Sequence, residues 1–283
     1  MKDIRGKYAL ITGASRGIGP RIVNAMAEEG MNLVVTARHM PALEQTAAEA
    51  RKRGVRVRCI AADLLEPSDI RTLVERAESE SGGIAVLINN AGIEHASSYE
   101  CIAVEKITDV VSVNLLAPMT LSRLLLPPMI TRGEGHIVNI SSLSGLVGTP
   151  YEEAYAASKH GLVGFSRSLR ASLRSDGHRV GVSVICPGPV RGAGMYASSN
   201  AVTGAMALAT IGSIPIASIG RAVVRAIVSD QPEVVLSGVP ILPFLLTQVL
   251  SARLAERIAV AAGVPQMFKR WATASARTKN SVE

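Results

Sequence analysis

"YALITGASRGIG" (residues 8–19) joins the apolar run YALIT to a turn holding three glycines. A helical stripe follows directly: Ile18, Ile22, Val23, Met26 and Ala27. Strand, glycine turn and helix in that order form the opening of a βαβ unit. Gly13 permits a tight turn, Gly17 lets backbone approach a pyrophosphate, and Gly19 allows close packing of helix on strand. Pro20 falls in the helix's first turn, where a missing N–H costs little. The helix N-terminus then presents N–H groups and a positive dipole to phosphate. An ordinary strand-to-helix turn would also use glycines, so the dinucleotide reading depends on what the rest of the chain adds.

The same alternation continues. "NLVVTA" (32–37), "VRVRCIAAD" (55–63), "AVLIN" (85–89), "HIVNIS" (136–141), "VGVSVIC" (180–186) and "EVVLS" (233–237) are strand-like, with helical spacing between them. Repeated β–α units predict parallel strands with right-handed crossovers, hence a doubly wound α/β fold. We expect one domain over 1–238, a central, mostly parallel seven-stranded sheet with helices on both faces. A helical extension follows at 239–283, packing on the domain or on a partner. Nearly half the residues are hydrophobic and only 3% aromatic, so aliphatic side chains must build the core.

The formal charge of +7 admits nucleic acid, acidic lipid or an anionic cofactor. No zinc spacing, recognition helix or aromatic–basic strand supports nucleic acid. The five histidines lack metal-ligand spacing, and no metal is expected. Cys59, Cys101 and Cys186 are odd in number and far apart, which suits reduced thiols and a cytoplasmic protein. The first strand starts too early to leave room for a signal peptide's apolar segment. Neither uncharged stretch, 192–220 nor 234–250, reads as a spanning helix, because Gly, Ser, Asn and Pro interrupt them.

The end of the second strand selects the cofactor. A ribose 2′-hydroxyl is commonly held there by Asp or Glu, a 2′-phosphate by cations. This strand runs into Ala37 and Arg38 with no acid, and Arg16 stands inside the glycine turn. NADP(H) is therefore expected over NAD(H).

"YEEAYAASKH" (151–160) places Tyr155 and Lys159 at i, i+4, on one face of a helix. A free phenol with a pKa near 10 is a poor base at neutral pH. A positive charge ~4 Å away at an effective dielectric of ~20 is worth about 4 kcal/mol, roughly three pKa units. That would bring Tyr155 towards working pH, where acid/base catalysis is most effective. Tyr151 has no such lysine, and would line a pocket or pack against neighbours.

With these residues assembled, the chain over 7–238 resembles the short-chain dehydrogenase/reductase family. The glycine pattern is Thr12 to Gly19, N-N-A-G is Asn89 to Gly92, the helical Asn is Asn114, the serine lies in "NISSLSG", Y-x-x-x-K is Tyr155 and Lys159, and P-G is Pro187 and Gly188. The resemblance implies a Rossmann-type fold, a homo-oligomer (dimer or tetramer) and hydride transfer between NADP(H) and a carbonyl or secondary alcohol. It assigns Tyr155 as general acid/base, Lys159 to lower its pKa and hold the nicotinamide ribose, and Asn114 to support a proton-relaying water. Family spacing selects Ser142 over Ser141 to bind the substrate oxygen, with Ser144 the other candidate. Cofactor contacts carried over are Gly13, Ser15, Arg16, Gly17, Ile18, Gly19, Arg38, Asp63, Leu64, Asn90, Ala91, Gly92, Tyr155, Lys159, Pro187, Gly188 and Val190. Asp63 would meet the adenine edge or cap the next helix. Gly192 stands where the family often has a threonine.

The resemblance also implies a substrate lid at about 191–219. Met195, Tyr196, Met206, Leu208 and Ile211 there suggest a hydrophobic substrate. In the extension, Leu246, Val249, Leu250, Leu254 and Ile258 make a stripe, and Phe268 and Trp271 flank Lys269 and Arg270. That pattern fits a peripheral membrane contact, or packing over the cleft or a neighbouring subunit. A 3-oxoacyl-(acyl-carrier) reductase is the alternative within the family, and a catalytically silent NADP(H)-sensing scaffold is the alternative outside catalysis.

Overall fold

The computed structural model describes residues 1–191 and 212–280. The chain runs β1 (Tyr8–Thr12), α1 (Gly19–Glu28), β2 (Asn32–Ala37), α2 (Met40–Arg51), β3 (Val57–Ala61), α3 (Pro67–Ser81) and β4 (Ile84–Asn89). It continues α4 (Val104–Val111), α5 (Ala117–Arg132), β5 (Gly135–Ile140), α6 (Glu153–Ser175) and β6 (Val180–Pro187). After β7 (Val190–Arg191) and β8 (Ile214–Pro215) come α7 (Ala217–Val228) and β9 (Glu233–Leu236). Three helices close the chain: α8 (Leu242–Leu250), α9 (Ala252–Ala261) and α10 (Val264–Asn280).

Seven strands form one sheet in the order β3-β2-β1-β4-β5-β6-β9. All its pairs are parallel, so the expected "mostly parallel" sheet is wholly so. The order reverses between β1 and β4, leaving a crevice at their carboxyl ends where ligands bind in such sheets. β7 and β8 make a separate two-residue parallel pair.

β1, β4 and β5 are buried at every position, as expected of central strands covered on both faces. Ile22, Val23 and Met26 of α1 join Leu43 of α2 and Val223 of α7 in one core layer. Leu73 of α3 with Leu121, Leu125 and Met129 of α5 make the other. Full burial of such aliphatic side chains stabilises by about 1.5–3 kcal/mol each. The continuous helix Val104–Arg132 is apolar enough by length and composition to cross a membrane, but its apolar face packs into this core.

Two boundaries differ from expectation in ways that matter. The third strand stops at Ala61, before Asp63, because the chain there folds into a turn: Asp63 Oδ1 accepts from Leu65 N, and Asp69 Oδ2 accepts from Asp63 N. The helix carrying Tyr155 starts at Glu153, so Tyr151 lies outside it in the left-handed region, at φ 62°.

Candidate active site

The turns after β1 and β4 are laced together. Thr12 Oγ1 accepts from the backbone N–H of Asn90 and of Ala91, each at 3.0 Å. Asn90 Nδ2 donates to the carbonyls of Thr12 and Gly13, at 2.9 and 3.0 Å. Gly13 has φ +63°, and a Cβ on it would sit 2.7 Å from Ala91 Cα, so neither the turn nor the crossing admits a side chain. Gly19 does a different job from the one expected. A Cβ there would collide with the Gly13 carbonyl and with Ala14, so Gly19 packs the helix on its own turn and not on the strand.

At the end of β5 two serines part company. Ser141 turns inward, its Oγ donating to the Lys159 carbonyl at 3.0 Å. Ser142 is extended; its Oγ accepts from Ser144 N at 3.1 Å and hydrogen-bonds with the Tyr155 side chain. Tertiary placement thus brings Ser142, and not Ser141, to the phenol. Ser144 contributes its backbone N–H to fixing that serine.

Lys159 Nζ donates to the Ile140 carbonyl at 2.9 Å and lies 5.6 Å from the centroid of the Tyr155 ring. Asn114 occupies a π-helical turn, Ser112–Leu116, inserted between α4 and α5; such insertions recur at functional sites. Its Oδ1 accepts from Ile93 N, and its Nδ2 donates to the Ile93 carbonyl and to Ser158 Oγ. Ser158 Oγ in turn donates to the Tyr155 carbonyl at 2.7 Å. Asn114 therefore braces the loop after β4 against α6.

A cavity of about 860 Å³ runs along the carboxyl ends of the strands. Gly13, Ser15, Arg16, Gly17, Ile18 and Arg38 line one end; Asp63, Leu64, Asn90, Ala91 and Gly92 follow; Ser142, Tyr155, Lys159, Pro187, Gly188 and Val190 line the other. Of the predicted residues only Gly19 and Asn114 stay behind the wall. Asp63 faces the cavity and closes the turn through Leu65 N, but it does not cap the next helix, whose N-cap position is Glu66.

Residues 7–203 match the family described as short chain dehydrogenase. The chain belongs to that family. Ketoacyl reductase HetN from Nostoc sp. is 40% identical over 241 residues, covering 85% of this chain and 82% of the relative. D-beta-hydroxybutyrate dehydrogenase of Cupriavidus necator is 34% identical over 185 residues, 65% of this chain and 71% of that one. Among solved structures, a short-chain alcohol dehydrogenase from Sinorhizobium meliloti superposes with a TM-score of 0.76 at 31% identity, covering 83% and 96% of the two chains. A metagenomic short-chain oxidoreductase in complex with NADP superposes at 0.70 with 30% identity, covering 83% and 97%.

This short-chain dehydrogenase is an oxidoreductase, and its cavity suits the family's nicotinamide dinucleotide. The Gly13 cradle exposes backbone where phosphate would lie. Among the described residues, Thr36 Oγ1 and Asn90 Oδ1 are buried at the cavity wall without a hydrogen-bond partner.

The electrostatics depart from the simple tyrosine–lysine expectation. Burial pushes the Tyr155 phenol well above its ordinary value, and the carboxylates of Glu94 and Glu152 push it further; the Ser142 hydrogen bond acts in the opposite direction. Burial also lowers Lys159 to about 8. Charge alone, reckoned at a fixed separation, left out the cost of placing a phenolate in a desolvated site beside two acids. Glu152 is fully buried. Burial, then Glu94, raises its carboxyl well above the usual range. Neither acid shows in the motifs, since "NNAGIEH" and "YEEAY" are 58 residues apart at Glu94 and Glu152. Glu94→Gln removes a negative neighbour and makes the phenolate cheaper. In that variant the rising limb of kcat/KM for alcohol oxidation should move to lower pH. Glu152→Gln should move it the same way by less, because Glu94 acts on the phenol more strongly than Glu152 does.

Tyr151 packs against Met267, Phe268 and Trp271 of α10, its neighbour-packing role borne out. Phe268 meets Trp271 edge to face, at 6.1 Å and 75°. Phe244, Ile258 and Phe268 line the cavity, so the C-terminal helices supply part of its apolar wall. Arg191 is exposed beside Ser213, and the predicted lid contacts at Met195, Tyr196, Met206, Leu208 and Ile211, like Gly192, lie outside the described residues.

Proposed function

We propose that this short-chain dehydrogenase transfers hydride between NADP(H) and the carbonyl or secondary alcohol of a hydrophobic substrate. One observation carries the reading: the Tyr155 phenol, hydrogen-bonded with Ser142, opens on a cavity with a glycine cradle at one end and apolar side chains of α8–α10 at the other. The dinucleotide, when bound, supplies the hydride. Ser142 orients the substrate oxygen. In reduction Tyr155 Oη gives that oxygen its proton as the carbon accepts hydride, and in oxidation it takes the proton back. Lys159 supplies positive charge to the phenolate and Asn114 keeps the Ile93 loop in register.

Arg16 and Arg38 support the phosphate form of the cofactor. Both are exposed at the cavity's adenosine end, β2 ends without a carboxylate, and among the described residues neither arginine is ion-paired. NADPH should bind more tightly than NADH in a fluorescence titration. Arg38→Ala should weaken NADPH by roughly 10-fold or more and leave NADH unchanged, the loss expected for a charge-assisted hydrogen bond. Equal or tighter NADH binding by the unaltered protein would refute the cofactor assignment. The function itself is tested by NADPH oxidation with a panel of apolar ketones and aldehydes; turnover of small charged keto acids alone would refute it.

The likeness to ketoacyl reductase HetN favours a second reading, reduction of a 3-oxoacyl group on an acyl carrier. Turnover of the carrier thioester without turnover of free ketones would select it. A silent sensor has no use for the assembled Ser142 and Tyr155. A homo-oligomer is part of the proposal, because Val104, Leu116 and Met119 leave apolar surface on the α4–α5 helix for a second copy. A peripheral membrane contact of the extension completes it.

A further inference from the structure

The sequence pattern that fits a membrane contact combines the stripe Leu246, Val249, Leu250, Leu254 and Ile258 with Phe268 and Trp271, but the last two are buried against Ala96 and Tyr151. They hold α10 on the catalytic loop and are not free to enter lipid. The exposed apolar surface lies elsewhere, on α8 and α9.

These two helices form a hairpin that breaks at Ser251, whose backbone is extended (φ −158°, ψ 100°) and whose Oγ accepts from Leu254 N to start α9. α8 has no charged residue and no fully buried one. Its inner side places Phe244 on the cavity wall, with Ile241 just before the helix and Ile258 from α9. Its outer side carries Leu242, Leu246, Val249 and Leu250, spaced i, i+4, i+7, i+8 on one stripe. At the hairpin's apex Val249 is 85% and Leu250 83% exposed, and Leu254 and Val260 extend the patch along α9.

A surface helix normally sets a polar face against its apolar one. α8 is apolar towards the cavity and apolar towards solvent, and contiguous patches of that kind mark a contact surface. The rim of this patch is basic. Arg253 and Arg257 on α9 and Lys269 and Arg270 on α10 are exposed, and Glu256 is the only acid among the described residues from 239 onward.

We propose that the α8–α9 hairpin docks into the interfacial layer of an anionic lipid membrane, and that apolar substrate passes from lipid along its inner face into the cavity. The inference rests on the apolar-substrate reading above. A twofold contact with a second copy would set the patch against itself, bringing Arg253 and Arg257 of the two copies together. Anionic headgroups complement those charges, while the leucines enter the acyl boundary.

The test uses the full chain and vesicles of phosphatidylcholine with about one part in three phosphatidylglycerol, enough anionic lipid to attract basic side chains. The unaltered protein should co-sediment with them. Leu246→Glu combined with Leu250→Glu should reduce the bound fraction at low lipid by at least ~10-fold. NADPH affinity, measured in parallel, should not change, because both side chains point away from the fold. No sedimentation of the unaltered protein overturns the proposal, as does undiminished sedimentation of the variant. So does a dimer seen by light scattering that the variant splits into monomers. Turnover of a short, water-soluble apolar ketone without vesicles should be equal in both proteins. Its absence from both would strike the substrate reading alone, since vesicle binding is read without activity.

Discussion

Tyr155→Phe should lower kcat for NADPH-dependent ketone reduction by about 10³-fold, within the range assigned to a positioned acid/base. The substitution removes one oxygen from a ring that is 5% exposed, so packing and the α6 helix persist. Lys159 keeps its bond to the Ile140 carbonyl and Ser142 its bond from Ser144, hence NADPH affinity should stay within about twofold. What disappears is the phenol proton beside Ser142 at the cavity. Initial rates and a fluorescence titration on the same preparation check both halves. Activity within tenfold of the unaltered protein would overturn the mechanism, and a parallel loss of NADPH binding would show that the phenol is structural.

Gly13→Ala should act at the other end of the cavity and on stability as well. The position has φ +63°, and the added methyl carbon meets Ala91 Cα at 2.7 Å, Ala91 N at 3.0 Å and Asn90 Nδ2 at 3.1 Å. A left-handed conformation costs an L-residue about 1–2 kcal/mol, and the collision with backbone cannot be relieved by a side-chain rotation. The turn must move, taking with it the Asn90 bonds to Thr12 and Gly13. We expect a loss of roughly 2–4 kcal/mol in stability and at least ~100-fold in NADPH affinity. Thermal melting and the same titration measure them. Near-normal affinity would show that the phosphates are not held at this turn.

The two residues show how differently the site is written in the chain. Gly13 sits in a run where strand, turn and helix are contiguous, so "YALITGASRGIG" could be read for its geometry. Tyr155 and Lys159 are four apart on one helix, and the pair was legible for the same reason. The serine comes from the family's spacing, which gives Ser142 over Ser141 with Ser144 as the other candidate. In the fold, the path of β5 past α6 turns Ser141 under Lys159 and Ser142 to the phenol. The pKa expectation was the furthest off, because Glu94 and Glu152 approach Tyr155 from separate segments.

Tyr151 and Trp271 make the same point at larger range. Tyr151 looked like one more residue of the Tyr155 helix, but the helix begins two residues later and Tyr151 turns to pack on α10. Of the pattern read as a membrane contact, Phe268 and Trp271 are buried, while the stripe on the α8–α9 hairpin remains uncovered.

By itself the sequence determined what short-range periodicity and steric need can encode: the parallel α/β order, the glycine turn, the shared helix face of Tyr155 and Lys159, and the uncharged stripe of α8. Each depends on spacing along a few turns of chain. Tertiary structure alone decided which carboxylates oppose the phenol's ionisation and which apolar face stays in solvent. Those outcomes depend on burial and on through-space distance between segments far apart in the chain, and local spacing encodes neither.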